Sequence, residues 1–282
     1  MSEVINRATG LLVIEVRASN PNGDPDRESD PRTRNDGYGE ISPVSFKRKL
    51  RDLVDAKDAP VWMALAKKRN LPQDEFQILE TQGRDRTKIA AMKEAEFTKA
   101  YWDARLFGST FLEEKKQGGT SIKTGVAQFS LGISVAPVII ERLTNTNKSG
   151  VQEGKDRGMA PLGYRVVQHA VYIMPFFINP TAAQKSGCTK RDIDLLLDLI
   201  PYAYSHTASY ARSAVEIRHA WYMEHKSPLG SCSDFALLDA LRPKKRERPD
   251  EPSIEWGEYD KITELPPDMQ NKLADFRDLM AG

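Results

Sequence analysis

Cysteine is nearly absent from this chain. Its 282 residues hold two, Cys188 and Cys232, far apart and without the paired spacing of a zinc site. That excludes a disulfide-stapled scaffold and fits reduced thiols in the cytoplasm. Long hydrophobic runs are missing too: the early stretch Leu11 to Val16 is interrupted by Glu15 and followed by Arg17, so neither a signal peptide nor a membrane span is expected. Charge of one sign is not in excess. With a formal net charge of +1, a polyanionic partner must be met by a local basic stripe and not by bulk charge. The chain also lacks a Walker loop, a dinucleotide fingerprint, His-Glu-x-x-His, Cys-x-x-Cys and a nucleophile elbow. The expectation is a protein that binds and does not catalyse, with no cofactor and no metal.

What is present is globular. Hydrophobic residues make up 40% and charged residues 29%, which rules out wholesale disorder in a chain long enough to bury a full core. Four segments carry strand patterns. Leu12, Ile14, Val16 and Ala18 alternate with Val13, Glu15 and Arg17, and Ala127, Phe129, Leu131, Ile133 and Val135 with Gln128, Ser130, Gly132 and Ser134. The run Val166 to Ile178 is apolar almost throughout and is expected at the centre of a sheet, and Val215 to Tyr222 supplies the fourth strand. One sheet with one polar face accommodates them.

Two helices fit between these strands. Ser42 is placed to cap a helix with Pro43 at its first position, and Phe46, Leu50, Leu53 and Val54 form its apolar stripe. A second helix begins near Thr189, runs through Ile193, Leu196, Leu197 and Ile200, and is disrupted at Pro201. Strand, helix, strand, strand, helix, strand is the order of an α+β, ferredoxin-like (RRM-like) palm. The palm is read as residues 1–241, with a mainly helical insertion at 57–110 and a polar, glycine-bearing excursion at 137–165 between the second and third strands. Residues 242–282 are read as a charged connection followed by an amphipathic helix, on the spacing of Met269, Leu273, Phe276 and Met280.

The loop Asn20-Pro21-Asn22-Gly23-Asp24-Pro25-Asp26 carries the functional signal. Two prolines and a glycine force a turn, which brings Asn20 and Asn22 beside the helix that bears Lys47, Arg48 and Arg51. Amide groups next to cations at a helix start suit a phosphate or ribose. The competing reading is an ordinary Asx turn beside a solvated helix. The carboxylates Asp24, Asp26, Glu28 and Asp30 do not follow a calcium loop, because counting from Asn20 puts Gly23 fourth and Pro31 twelfth. Arg105, Lys123, His206, Ser209 and Arg212 lie at element ends that meet the same sheet, where they could contact phosphate; His206 is expected as a partly buried, satisfied imidazole.

The strand, Asn-Pro-Asn-Gly-Asp-Pro-Asp loop and Lys-Arg-Lys helix, followed by Arg105-Leu106-Phe107-Gly108, by Ile122-Lys123-Thr124-Gly125-Val126-Ala127-Gln128 and by Tyr210-Ala211-Arg212-Ser213-Ala214, resemble the CRISPR Cascade backbone subunit, the Cas-seven family, in its type I-C and I-B branches. The resemblance implies a guide-RNA-binding (crRNA-binding) subunit that lines up in several copies along the guide and presents it to target DNA in antiviral defence. It implies that residues 137–165 are a thumb, with Arg157 meeting phosphate and Met159 acting as an apolar wedge. It implies as partners crRNA, target DNA, further copies of the chain, the Cas-five subunit, the large and small Cascade subunits and, transiently, the Cas-three helicase-nuclease. Two alternatives stand beside this reading: a guide-bound endoribonuclease, as in type III relatives, using Asp24 or Asp26, and a stand-alone RRM-like RNA-binding module.

Overall fold

The computed structural model describes the backbone of residues 4–82, 92–112, 120–148, 159–260 and 262–281, and the side chains of all of these except 110–112, 120–122, 145–148 and 159–162. In chain order its strands are β1 (Ala8–Ser19), β2 (Gly23–Asp24), β3 (Asp30–Pro31), β4 (Tyr38–Ile41), β5 (Gly108–Leu112), β6 (Thr120–Thr124), β7 (Ala127–Phe129), β8 (Gly132–Pro137), β9 (Ile140–Lys148), β10 (Met159–Ile178), β11 (Val215–His225) and β12 (Leu273–Asp278). Its helices are α1 (Pro43–Asp55), α2 (Pro60–Arg69), α3 (Leu79–Gln82), α4 (Glu94–Ala100), α5 (Trp102–Phe107), α6 (Ala183–Ser186), α7 (Lys190–Leu199), α8 (Asp234–Leu241) and α9 (Pro267–Gln270).

The local chemistry of both principal helices follows the sequence. The Ser42 hydroxyl accepts from the Ser45 amide at 3.2 Å, and Pro43, whose missing N–H is no loss there, opens α1. The Asp192 carboxylate accepts from the Thr189 amide and hydroxyl at 2.8 and 2.9 Å, fixing the start of α7, and α7 gives way to a 3-10 turn at Ile200–Tyr202. Both helices bury their apolar stripes in one core with Leu12, Ile14, Val16, Tyr172, Met174 and Phe176.

Among the described residues one mixed α/β body is built on an eight-stranded sheet, ordered β12-β11-β1-β10-β8-β4, with β7 and β9 also pairing β10; every pairing is antiparallel. β10, the most apolar segment of the sequence, is central, as its composition requires. The four strands expected from alternation lie side by side in the order fourth, first, third, second.

Three expectations are corrected. The sheet does not have a polar face: Ala8 to Val16 are buried without interruption, because α8 and the segment around Leu265 and Leu273 cover Leu11, Trp221 and Met223, while Tyr259 covers Val13 and Val171. Burial of Leu237, Leu238 and Leu241 against that face supplies on the order of 1.5–3 kcal/mol per side chain. The alternating run 127–135 is not one strand. It breaks at Ser130 and Leu131, and the buried positions switch from Ala127 and Phe129 to Gly132, Ser134 and Ala136, leaving Leu131 exposed. The C-terminal helix is instead the edge strand β12. Pairing with β11 satisfies backbone groups that would otherwise be unpaired, Asp278 accepts from the Ala220 amide at 2.8 Å, and Phe276 stacks on Trp221 with ring centroids 5.5 Å apart.

Residues 57–107 carry α2 to α5, and the chain then enters the paired strands β5 and β6. Here two sequence motifs meet. A Cβ on Gly125 would lie 2.1 Å from the Phe107 backbone and one on Gly108, at φ +90°, 2.6 Å from Gly125, so glycine is required at both by close backbone approach. The excursion 137–165 contains the long hairpin arms β9 and β10, paired from Ile140–Val167 out to Lys148–Met159.

Candidate nucleic-acid interface

The loop after β1 folds against the start of α1, the base of the β9–β10 hairpin and the turn before β11. The Asn22 carboxamide oxygen accepts from the Ser42 amide at 2.8 Å and its nitrogen donates to the Gly23 carbonyl, so Asn22 fastens the loop to the helix start. The Asn20 amide donates to the Ala211 carbonyl at 2.7 Å, and its side-chain nitrogen donates to the Ser29 carbonyl at 2.8 Å. Glu28 and Ser29 both hold left-handed backbone, at φ 50° and 64°, stabilised where the Ser29 amide donates to the Asp24 carbonyl. Asp24 accepts from the Asp26 amide at 3.1 Å, which is turn chemistry, and Asp30 pairs with Arg165 across to the hairpin.

These segments enclose a cavity of about 330 Å³ whose lining includes Asn20, Ser29, Asp30, Arg142, Arg165 and Arg212. Arg212 donates through Nε to the Asn20 carbonyl at 3.2 Å. Close by, Lys49 is buried with 5% exposure; its ammonium donates to the Thr207 hydroxyl at 3.1 Å and sits 4.9 Å from the Tyr204 ring centre. Burial, and then the Arg212 charge, lowers the Lys49 pKa to about 8. Neither cation forms an ion pair with a carboxylate among the described residues. Asp52 offsets the Lys49 charge only in part, so two neighbouring cations, one largely desolvated and neither held in an ion pair, form a site suited to a phosphate group.

The other expected site residues distribute differently. Lys47 is half-buried, 5.1 Å from the Phe107 ring centre, with its pKa lowered by burial and then by Arg51. Arg48 is exposed and pairs with Asp52 at 2.8 Å and Glu80 at 3.5 Å. Arg51 is committed to Asp103 at 2.9 Å and Glu80 at 2.7 Å. Arg105 is a structural cation: buried, it bonds Asp192 at 2.6 Å and the carbonyls of Glu75, Thr98 and Lys99. With its donors so occupied, it is not free for phosphate. Lys123 pairs with Glu94 at 2.6 Å. Ser209 is exposed and its carbonyl accepts from the Arg212 amide, closing the turn that presents Arg212. His206 is exposed beside Tyr202, contrary to the expected partial burial, because it lies beyond the last core residues of that segment, Ala203 and Tyr204. Arg157 lies outside the described residues, and Met159 is placed by its backbone alone, opposite Lys148.

Arg142 and Arg165 line the cavity with Arg212, and Lys49 lies within reach of the Arg212 charge; these four had not been singled out together by sequence. Lys49 falls on the buried side of α1 beside Phe46, Leu50 and Leu53. The available signal was its placement: a lysine on the apolar stripe of an amphipathic helix needs a polar partner.

A large antiparallel sheet with helices packed on it, and cations and a loop-lined cavity at the ends of its strands, defines a mixed α/β protein. Among the described residues no helix is long and apolar enough to cross a membrane, and no cluster of His, Cys, Asp or Glu is arranged to hold a metal. The model of a protein family described as CRISPR-associated protein Cas7 matches residues 6–263, and the chain belongs to that family. As a member of that family it is a crRNA-binding backbone subunit of a CRISPR complex. Two solved chains are similar. One, described as "CRISPR RNA-guided surveillance complex", is 14% identical with a TM-score of 0.46 over 78% of this chain and 69% of the other. The second, "CRISPR RNA-guided surveillance complex, pre-nicking", is 14% identical with a TM-score of 0.49 over 78% of each chain. No curated protein matches.

Proposed function

We propose that this subunit holds the guide by its sugar–phosphate backbone at the cavity beside β1, with Arg212 and Lys49 as the central phosphate contacts and Arg142 and Lys47 around them. Several copies line up head to tail along one crRNA through a heterologous interface, the guide bases remain available to target DNA, and pairing alone reads sequence. The adjacent Lys49 and Arg212 charges, neither in an ion pair among the described residues, carry this reading, since a buried ammonium held by one hydroxyl and only partly offset by Asp52 is costly unless a ligand supplies further charge. The central strand order supports a ferredoxin-like, RRM-like palm within residues 1–241, joined by 242–282. Arg157 and Met159 extend the guide contact through the thumb. The chain is placed in the type I-C and I-B branch, in the cytoplasm, with the Cas-five subunit, the large and small subunits and the transient Cas-three helicase-nuclease as neighbours.

The subunit is read as non-catalytic. Asp24 and Asp26 serve the loop's own turn, which favours binding over target cleavage. The test is the mass of the purified protein with and without guide-length RNA, by light scattering, before and after ribonuclease. A multi-copy assembly that protects RNA at regular intervals is expected; one copy per RNA would favour a stand-alone module. Cleavage of a guide-complementary RNA that disappears in Asp24→Ala with Asp26→Ala would establish the endoribonuclease instead.

A further inference from the structure

We propose that Asn20 reads the ribose 2′-hydroxyl of one guide nucleotide per copy and so makes the cavity selective for RNA over DNA. This rests on the placement of the guide backbone at that cavity. Asn20 is 6% exposed, and its side-chain oxygen is buried without a hydrogen-bond partner among the described residues. Its orientation is fixed by chemistry, because the side-chain nitrogen donates to the Ser29 carbonyl at 2.8 Å, leaving the oxygen as an acceptor that needs a donor.

Several ligand groups fail this requirement. A phosphate oxygen, a ring oxygen or a base carbonyl only accepts. Along an RNA chain the donors are base N–H groups and the 2′-hydroxyl, and a contact to a base would impose a sequence preference on a subunit whose guide sequence varies. The 2′-hydroxyl repeats at every nucleotide and is absent from DNA. The cavity that Asn20 lines has about 330 Å³, room for a ribose with its phosphate, and brings Arg212 to the same wall, bonded through Nε to the Asn20 carbonyl. One side chain then engages the phosphate while its neighbour accepts from the sugar of the same nucleotide.

The test uses the purified chain and short guide oligonucleotides carrying ribose, 2′-deoxy or 2′-fluoro at one position at a time, in two base sequences, with binding read by fluorescence anisotropy. The fluoro sugar keeps the RNA pucker and removes only the donor. At the contacted nucleotide both replacements are expected to weaken binding about three- to tenfold, as for one net hydrogen bond, in both sequences. Asn20→Ala, checked by its melting transition, is expected to bind all three sugars alike, whereas Arg212→Ala weakens all three equally. Equal binding of the three sugars by the natural chain at every position, or a penalty that follows the base and not the sugar, would overturn the assignment to Asn20. Loss of the guide placement itself has a different signature: Arg212→Ala would leave binding of the unmodified RNA unchanged. Should Asn20→Ala fail to fold, the sugar scan on the natural chain decides alone.

Discussion

Raising the pH should release the guide through Lys49. Its ammonium is buried, next to Arg212, with a pKa lowered to about 8. A phosphate seated between the two cations stabilises the protonated form, so binding draws the pKa back toward its ordinary value near 10.4 and takes up a proton. At pH 7 about nine-tenths of free sites carry the charge, and at pH 9 about one-tenth, so affinity should fall about tenfold between these values, equivalent to about 1.4 kcal/mol. The slope approaches one decade per pH unit above pH 8. Folding responds with the opposite sign: a lysine whose pKa is lowered in the folded state contributes stability as pH rises from about 8 toward 10.4, and Lys57, also near 8 but bonded to the Phe76 carbonyl, does the same away from the cavity. Binding, and not melting, is therefore the specific readout. Anisotropy titrations from pH 6.5 to 9.5 with a guide of adenine and cytosine, whose bases do not titrate there, would measure it. Lys49→Arg, charged throughout, should flatten the profile. An unchanged slope in that variant would refute the argument.

Further outcomes follow from other contacts. Arg212→Ala should lower the salt slope of guide binding by about one unit without altering sequence preference, as measured by titrations at several salt concentrations. Arg105→Ala leaves Asp192 buried without its partner and should cost about 3–5 kcal/mol in urea unfolding, whereas Arg48→Ala, removing exposed pairs, should cost less than about 1 kcal/mol. Gly125→Ala drives a methyl against the Phe107 backbone, and a loss of at least about 1–3 kcal/mol is expected in the same assay; a neutral result would mean that the close approach is not maintained.

Much of the fold was legible because its signals are local. The Ser42–Pro43 start, the stripe of α1 and the apolar density of β10 depend on neighbours within a turn or a strand. The edge strand β12 was not legible: Leu273 and Phe276 fit a helical spacing, and only the unpaired edge of β11, distant in sequence, draws that segment into the sheet. The parity switch at Ser130–Leu131 escaped for a similar reason, since both halves alternate and the break appears only when each is paired to β10.

The candidate site divides along the same line. The sequence by itself determined that a turn follows β1 and that cations lie on the next helix, because prolines, glycine and helical periodicity act over a few residues. Tertiary structure decided which cations are available. Arg105 and Arg51 are neutralised by Asp192 and Asp103, whereas Lys49 and Arg212, 163 positions apart, come together with neither in an ion pair among the described residues. Charge is a property of a residue, but its availability depends on what the folded chain places beside it.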